Sequence, residues 1–344
     1  MKQMQNRVRI DFAAALRNIV GGFLIAAAAV WLAGAVLLTS PTIFEYDREL
    51  DFANRAAGYG KQQRGENWVN FRIGALGLEE TEARKLADGR RKVLIHGDSY
   101  VEAVMIPPEE RMQNLFSSRS FSALGIGYSG AGAPEFAYLM SRFPKKIPGV
   151  AAQVIFTADS YDFRFVDPEA CDGTRRGGLG VRASSAADVI SYRSRAFAVR
   201  AVMRRIRLLK LDFVGNRWFR RGGAGETVLP VSNVSGVVSA LTATARRSGV
   251  PLVLIVYAPR LPGIRDGKVC FDDPDQSYAA ELEAACGRNG IGFVNLGPDF
   301  AAYFRRSGKF VSGFFNTPPG MGHLNSAGHR IAAEAISRYF AGEK

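Results

Sequence analysis

Ser99 follows a short apolar segment that the sequence predicts to be a buried β-strand. Residues 92–100 read KVLIHGDSY, in which the apolar run Val93–Ile95 leads into a Gly-Asp-Ser turn. A serine hydroxyl at a strand-to-helix corner is exposed and lies beside backbone N–H groups, which suits a nucleophile with part of an oxyanion hole. Three small polar residues also form ordinary turns, so the triplet is informative only if a base for the serine exists elsewhere.

The chain has three histidines, and His323 is the best candidate for that base. A serine hydroxyl is a weak nucleophile unless a base takes its proton, and histidine is the usual base near neutral pH. Residues 319–323 read PGMGH, a glycine-rich loop that can hold a side chain at a strand end. We expect His96, on the strand itself, to point away from the turn and to be structural. We expect His329 to pack or to form a hydrogen bond within the helix that follows.

Two segments resemble the motifs of the SGNH (GDSL-type) hydrolase superfamily. They are the Gly-Asp-Ser turn at 97–99 and the segment GHLNSAGH at 322–329. In that family the first motif carries the nucleophile and the second carries the general base. The resemblance covers roughly residues 90–342, and it implies that Ser99 is the nucleophile and His323 the base.

The resemblance also implies an oxyanion hole with three donors. The family builds it from the nucleophile's N–H, a glycine N–H after the second strand and an asparagine side chain after the third. Here the N–H of Ser99 is the first donor, and Gly130 is the best match for the second, in the segment GIGYSGAG at 125–132. No asparagine follows the third predicted strand. Ser160 and Tyr161 are candidate substitutes, although both are equally well explained as plain loop residues.

The histidine also lacks a partner that the family usually provides. An aspartate commonly precedes the histidine by three residues and orients it, but that position is Gly320 here. Asp299, after the last predicted strand, is a conceivable substitute, although a solvated turn residue is the simpler interpretation. Either a backbone carbonyl or another carboxylate orients His323, which gives a serine–histidine dyad, or catalysis is impaired.

From residue 92 onward the pattern alternates strands and helices, which predicts an α/β domain with a parallel sheet covered on both faces. The predicted strands are 93–95, 122–126, 153–157, 252–257 and 292–295. The predicted helices are 100–118, 133–142, 232–247, 276–288 and 326–340. The pattern fits a flavodoxin-like parallel sheet with a site at the carboxyl ends of its strands. The family resemblance implies the same three-layer sandwich.

The sequence predicts one N-terminal transmembrane helix at residues 19–38, ahead of that domain. This apolar run of twenty residues, at about 1.5 Å per residue, spans a bilayer core of about 30 Å. Basic residues dominate before it and acidic residues after it, so the positive-inside rule places the rest of the chain outside the cytoplasm. We therefore expect a single-pass inner-membrane protein with a periplasmic domain. A signal peptide cleaved near residues 33–35 and a buried core helix are the alternatives.

The predicted organisation has four parts and one insertion. They are a cytoplasmic tail (1–18), the anchor (19–38), a stalk or lead-in (39–89) and an SGNH-like domain (90–344) with a basic helical insertion at about 160–230. From 193 to 221 the insertion has ten basic residues and one acid. Such a surface suits anionic lipid headgroups or an acidic glycan, although a solvated amphipathic helix is the simpler alternative.

The charge of the chain favours anionic partners. The net charge is +13, of which residues 1–40 contribute +3. The exported part thus attracts acidic polysaccharide or lipid headgroups. We expect no nucleic acid partner, because no nucleic-acid-binding motif is present.

The three cysteines lack metal-ligand spacing, so we expect neither metal nor cofactor. Cys171 and Cys270 are candidates for a disulfide, and Cys286 reads as a buried free thiol.

The resemblance implies a function. SGNH proteins cleave or transfer acyl esters through an acyl-serine, and exported, membrane-anchored members often add or remove O-acetyl groups on surface polysaccharides. The alginate O-acetyltransferase-like branch is one such group. We therefore expect a membrane-anchored O-acyl esterase or acyltransferase for a surface polysaccharide. The alternatives are a non-catalytic SGNH-fold module that binds glycan or acts as a scaffold, and a lipid esterase at the membrane face.

Overall fold

The computed structural model describes residues 12–37, 44–47, 52–55, 58–63, 68–158, 160–174, 232–273, 275–314, 317 and 319–342. The chain divides into two compact units, and helix α1 (Phe12–Leu37) is the described part of the first. All the other described elements belong to the second unit. Most of the predicted basic insertion, from 175 to 231, lies outside the described residues.

Helix α1 covers nearly all of the predicted transmembrane segment. Within the part of the chain that the structure describes, no helix is both long and apolar enough to cross a membrane. Membrane anchoring therefore stays a prediction.

The second unit begins with small antiparallel strands and continues as an alternation of strands and helices. The strands are β1 (Phe44–Asp47), β2 (Phe52–Arg55), β3 (Gly58–Gln63), β4 (Trp68–Ile73), β5 (Arg91–Gly97), β6 (Phe121–Gly127), β7 (Val150–Thr157), β8 (Leu252–Tyr257), β9 (Gly263–Arg265), β10 (Lys268–Cys270) and β11 (Gly292–Asn295). The helices are α2 (Glu80–Arg84), α3 (Ser99–Glu102), α4 (Met112–Leu115), α5 (Ala133–Arg142), α6 (Val234–Arg247), α7 (Gln276–Asn289), α8 (Gly297–Ser307) and α9 (Ser326–Ala341).

Five of these strands form one parallel sheet in the order β11-β8-β7-β5-β6. Numbered along the chain, this is the order 2-1-3-4-5 of flavodoxin-like folds. The predicted α/β class with a parallel central sheet is therefore confirmed. The order reverses between β5 and β7, and the carboxyl ends of the strands at such a point form a crevice where ligands bind.

The sheet has one hydrophobic core on each face. Successive side chains of a strand point to opposite faces, and Leu94 and Ile155 lie in one core while Val93 and Val154 lie in the other. Residues of α5, α6 and α7 pack in the first core, and residues of α4, α8 and α9 pack in the second. The result is a three-layer sandwich.

The predicted helix 100–118 is wrong, because the chain forms two short helices there, α3 and α4. Ala103 ends α3 in the left-handed region with φ of 46°. Pro107 and Pro108 follow, and proline lacks the N–H that a continuing helix needs. The helix that begins at Ser99 therefore ends after four residues.

The lead-in before the predicted domain packs against the edge of the sheet. Lys85 of this segment donates to the carbonyl of Ala123 on the edge strand β6 (3.0 Å), and Glu82 of α2 accepts from the N–H of Gly125 (2.6 Å). Burial raises the pKa of Glu82 and lowers that of Lys85 to about 8. The two side chains thus satisfy backbone groups that an edge strand otherwise leaves open to another chain.

The proposed disulfide is wrong, because Cys171 and Cys270 are free thiols. Cys171 lies in the apolar core rather than in a polar loop, and burial raises its pKa to about 12. Cys286 is a buried free thiol, as predicted, and burial raises its pKa to about 12 as well. Thiols with such values are protonated and unreactive near neutral pH.

Candidate active site

Ser99 is the first residue of α3, directly after β5 and at the point where the strand order reverses. The side chain of Asp98 caps the helix by accepting from the N–H of Tyr100 (2.9 Å). Gly97 makes the corner sharp, because a Cβ there would lie 2.3 Å from Val101 Cγ2 and 2.9 Å from the carbonyl oxygen of Phe156. The serine is therefore held at the carboxyl end of β5, as the sequence predicted for a strand-to-helix corner.

His323 lies against this serine, although 224 positions separate them in the chain. Its Nε2 is 2.9 Å from Ser99 Oγ, and the Tyr100 ring lies beside the imidazole with a centroid distance of 5.0 Å. When the ring proton is on Nδ1, Nε2 accepts a hydrogen bond from the serine hydroxyl. This is the contact that a general base needs with its nucleophile.

The backbone on both sides of His323 is fixed, which explains the residues of the His-Leu-Asn motif. The carbonyl of His323 accepts from the N–H of Gly313 (2.9 Å), and Leu324 is buried in the core. The side chain of Asn325 caps α9 by accepting from two N–H groups of its first turn, and it donates to the carbonyl of Phe310 (2.9 Å). The leucine and the asparagine thus hold the loop while the histidine faces the serine.

The position of the family's aspartate has no room for a side chain. Gly320 has φ of +74°, and a Cβ there would lie 2.8 Å from the Phe310 ring and 3.3 Å from the carbonyl of Pro262. The loop conformation at this position therefore favours glycine over the aspartate that the family usually has there. Asp299 pairs with Arg338 (3.1 Å), and both side chains are about half exposed, which agrees with the simpler interpretation of Asp299 as a solvated residue.

The other two histidines are buried and bonded elsewhere. His96 Nε2 lies 2.8 Å from Gln153 Oε1, and His329 Nδ1 accepts from the N–H of Met112 (3.2 Å). Burial lowers the pKa of each to about 3, and for His329 the nearby Arg111 adds to the effect. Both rings are therefore neutral and structural at neutral pH, in line with the sequence-based expectation.

The loop that carries Gly130 is tied to the serine's turn at two places. The N–H of Tyr128 donates to the carbonyl of Gly97 (3.1 Å), and the N–H of Ser129 donates to the Glu102 carboxylate (3.1 Å), which also accepts from the Ser129 hydroxyl. Gly130 follows with φ of +81°, a conformation that favours glycine. The proposed pairing of the Ser99 and Gly130 N–H groups as oxyanion donors stays a prediction, although both groups lie on connected segments.

Sequence reasoning missed Glu102, the residue that links those two segments. It lies three residues after Ser99, and only 7% of it is exposed. A glutamate on the same short helix as a candidate nucleophile, with a serine just before the candidate oxyanion glycine, was the available signal. The sequence did not indicate that the two would meet.

The loop after β7 carries Ser160 and Tyr161, the two candidate substitutes for the family's oxyanion asparagine. The hydroxyl of Ser160 donates to the carboxylate of Asp275 (3.2 Å). The side chain of Tyr161 is 71% exposed and packs beside the ring of Phe165, with centroids 5.7 Å apart. Whether either group replaces the family's asparagine stays a prediction.

Across the described residues there is also no cluster of three or more His, Cys, Asp or Glu side chains that could hold a metal ion.

Comparison with known proteins gives structural matches only, since no family model and no curated protein matches the sequence. A lipolytic protein of the G-D-S-L family from Veillonella parvula is 11% identical, with 73% of this chain and 98% of that chain covered and a TM-score of 0.36. A carbohydrate esterase family 2 enzyme from Corynascus thermopiles (Myceliophthora fergusii) is 12% identical, with 74% and 66% covered and a TM-score of 0.37. Phospholipase A1 from Streptomyces albidoflavus is 13% identical, with 74% and 100% covered and a TM-score of 0.36.

Identities and TM-scores at this level carry little weight, so the chain's own residues decide its classification. The Gly-Asp-Ser turn lies at the switch point of a 2-1-3-4-5 parallel sheet, and the histidine of the His-Leu-Asn segment is in contact with the serine. In both motif and fold, this chain resembles the SGNH hydrolase superfamily.

Proposed function

We propose that this protein is a serine esterase or O-acyltransferase that works through an acyl-serine. The observation that carries the proposal is the 2.9 Å contact between His323 Nε2 and Ser99 Oγ at the carboxyl edge of the sheet. Two of the three histidines are buried and neutral, whereas the third, His323, is the one in contact with the serine hydroxyl.

The reaction follows from that contact. Ser99 Oγ attacks the ester carbonyl carbon as its proton passes to His323 Nε2, and the oxyanion that forms faces the N–H groups of Ser99 and Gly130. The intermediate then expels the alcohol, which takes the proton from His323 and leaves an acyl-serine. Water or a sugar hydroxyl attacks the acyl group next and gives its proton to His323. Ser99 leaves and recovers that proton, so a carboxylic acid or a new ester is released.

The proposed substrate is an O-acylated polysaccharide outside the cytoplasm. The support comes from the sequence: the predicted anchor at 19–38 directs the domain out of the cytoplasm, and the basic composition after it suits an acidic glycan. We propose a single-pass inner-membrane protein with its domain in the periplasm. Hydrolysis and transfer share every step up to the acyl-serine, so the choice between them depends on whether the site admits water.

A non-catalytic glycan-binding or scaffolding module is the second candidate. Two family features are missing, the asparagine after the third strand and the aspartate at the position of Gly320, and this favours it. Loss of one oxyanion donor alone costs about 10²–10³ in rate. The fixed Ser99–His323 contact favours the enzyme instead, because a binding module has no need of a nucleophile held against its base.

The test compares the full chain in detergent with its Ser99→Ala variant, and Ser307→Ala, at an exposed serine of α8, serves as a matched serine control. We expect a fluorophosphonate probe to label the protein, and p-nitrophenyl acetate to be hydrolysed. Ser99→Ala should abolish labelling and lower kcat/KM by roughly 10³-fold or more, because the residual rate comes from binding alone. Ser307→Ala should be labelled as the wild type is. A folded wild-type protein with neither labelling nor turnover would establish the binding module instead.

A further inference from the structure

We propose that the Asp98 carboxylate is the anion that stabilises His323 when this ring takes the proton of Ser99. The inference rests on the proposed function, because His323 becomes charged during turnover only if Ser99 is the nucleophile. It goes beyond that function because it gives Asp98, the residue that caps α3, an electrostatic role in the reaction.

The geometry brings Asp98 and His323 to the same hydroxyl. Asp98 Oδ2 lies 3.5 Å from Ser99 Oγ, and His323 Nε2 lies 2.9 Å from it. The second carboxylate oxygen, Oδ1, accepts from the N–H of Tyr100 (2.9 Å) and fixes the orientation of the group. The carboxylate therefore cannot swing away from the serine without giving up its helix cap.

Burial opposes the charge on Asp98, and two neighbouring groups support it. Asp98 is partly buried, and burial raises its pKa, while the N–H of Tyr100 and the nearby His323 act in the opposite direction. The interaction between two charges is mutual, so an anion that His323 stabilises also stabilises the protonated form of His323. Removal from water strengthens such an interaction relative to an exposed pair.

Two described neighbours of the imidazole, the Tyr100 ring and His329, carry no negative charge. The Tyr100 ring flanks it, and His329 on α9 is buried and neutral, with its pKa lowered by burial, by Arg111 and by His323. Arg111 is a cation and opposes protonation of its neighbours. Gly320 has no side chain, and Asp299 pairs with Arg338.

Asp98→Asn separates the charge from the cap. Asparagine caps helices about as well as aspartate, so the turn is retained while the negative charge is lost. We expect kcat/KM for p-nitrophenyl acetate to fall, and the acidic limb of its pH profile to move to lower pH, because a nearby opposite charge favours the charged form of the imidazole. The melting temperature should stay close to that of wild type. Asp299→Asn is the matched control and should leave the profile in place.

An acidic limb that stays in place in Asp98→Asn would overturn the proposal, whether or not the rate falls, since a pure capping role changes rate without moving the limb.

A second measurement does not need activity. The ring protons of His323 can be followed by NMR, because His96 and His329 do not titrate near neutral pH. We expect the His323 titration midpoint to fall in Asp98→Asn, and an unchanged midpoint would contradict the charge coupling. A shifted midpoint in a protein without turnover would reject the proposed function and retain the coupling.

Discussion

Two loops at the carboxyl edge of the sheet differ in what their side chains do. In the loop before α9, Leu324 and Asn325 hold the backbone, and His323 is left facing Ser99. In the loop after β7, the hydroxyl of Ser160 is engaged by Asp275, and Tyr161 lies exposed beside Phe165. In the first loop, the two residues after the histidine serve to orient that one side chain. In the second loop, the Ser160 hydroxyl is bonded to the N-cap residue of α7, Asp275, and no side chain among the loop's described residues is shown facing Ser99.

Under the proposed function, the difference means that the site keeps the contact between nucleophile and base but lacks the family's oxyanion asparagine. Nucleophile and base need a contact of about 3 Å, so the loop that carries the base must be fixed to a fraction of that distance. An oxyanion donor can instead be supplied by backbone N–H groups, which do not depend on the side chain at each position. The Gly130 loop, tied to Glu102 through Ser129, is the segment that can meet this need without the missing asparagine.

The largest effect should come from His323→Ala. A positioned general base contributes about 10²–10⁴-fold, so kcat/KM for p-nitrophenyl acetate should fall by that factor, while the melting temperature changes little because the side chain is only partly buried. Fluorophosphonate labelling should slow in parallel.

The matched control is His329→Asn. The asparagine oxygen can accept from the N–H of Met112, as His329 Nδ1 does, so this variant should keep most of its activity at temperatures where it is folded. If His329→Asn lost as much activity as His323→Ala, the assignment of the base would be wrong.

A smaller effect, on stability rather than on chemistry, should follow Gly320→Ala. A left-handed φ costs a residue with a Cβ roughly 1–2 kcal/mol, and the new methyl group must also displace the Phe310 ring. We expect the free energy of unfolding to fall by at least that amount, measured by urea denaturation. Tyr161→Ala, in the loop after β7, should stay within about 0.5 kcal/mol of wild type, because the side chain is exposed. Equal losses in the two variants would remove the distinction between the loops.

The sequence was sufficient for the sheet, which is encoded locally, and the motif resemblance singled out the two residues, Ser99 and His323, that the structure brings into contact. Each predicted strand lies within an observed one, since a short run of apolar residues between turns identifies a buried parallel strand. His323 could be chosen because glycines flank it, whereas His96 and His329 lie inside regular elements. Where local signals conflicted, the prediction failed: the apolar residues of 100–118 suggested one helix, and the prolines within that range prevented it.

Two other contacts between distant segments could not be predicted. Glu102 with Ser129, and Lys85 with the edge strand, join residues that no sequence period relates. The same holds for the space at Gly320, which is filled by Phe310, a residue whose position depends on the whole loop. The sequence showed that an aspartate was missing there, but only packing shows that a side chain would not fit.

The smallest effect should come from the loop after β7, where Ser160→Ala and Tyr161→Phe remove the two candidate hydroxyl donors. A true oxyanion donor would cost about 10²–10³ in kcat when removed. Since the Ser160 hydroxyl donates to Asp275 and Tyr161 is largely exposed, we expect each variant to retain kcat/KM within about threefold of wild type. Each rate should be read beside the melting temperature, because loss of the Asp275 contact can loosen this loop without touching the chemistry. A loss of 10²-fold in one variant, with its stability intact, would make that residue the third donor and would place both loops in the reaction. Two small effects would leave the backbone N–H groups of Ser99 and Gly130 as the oxyanion donors.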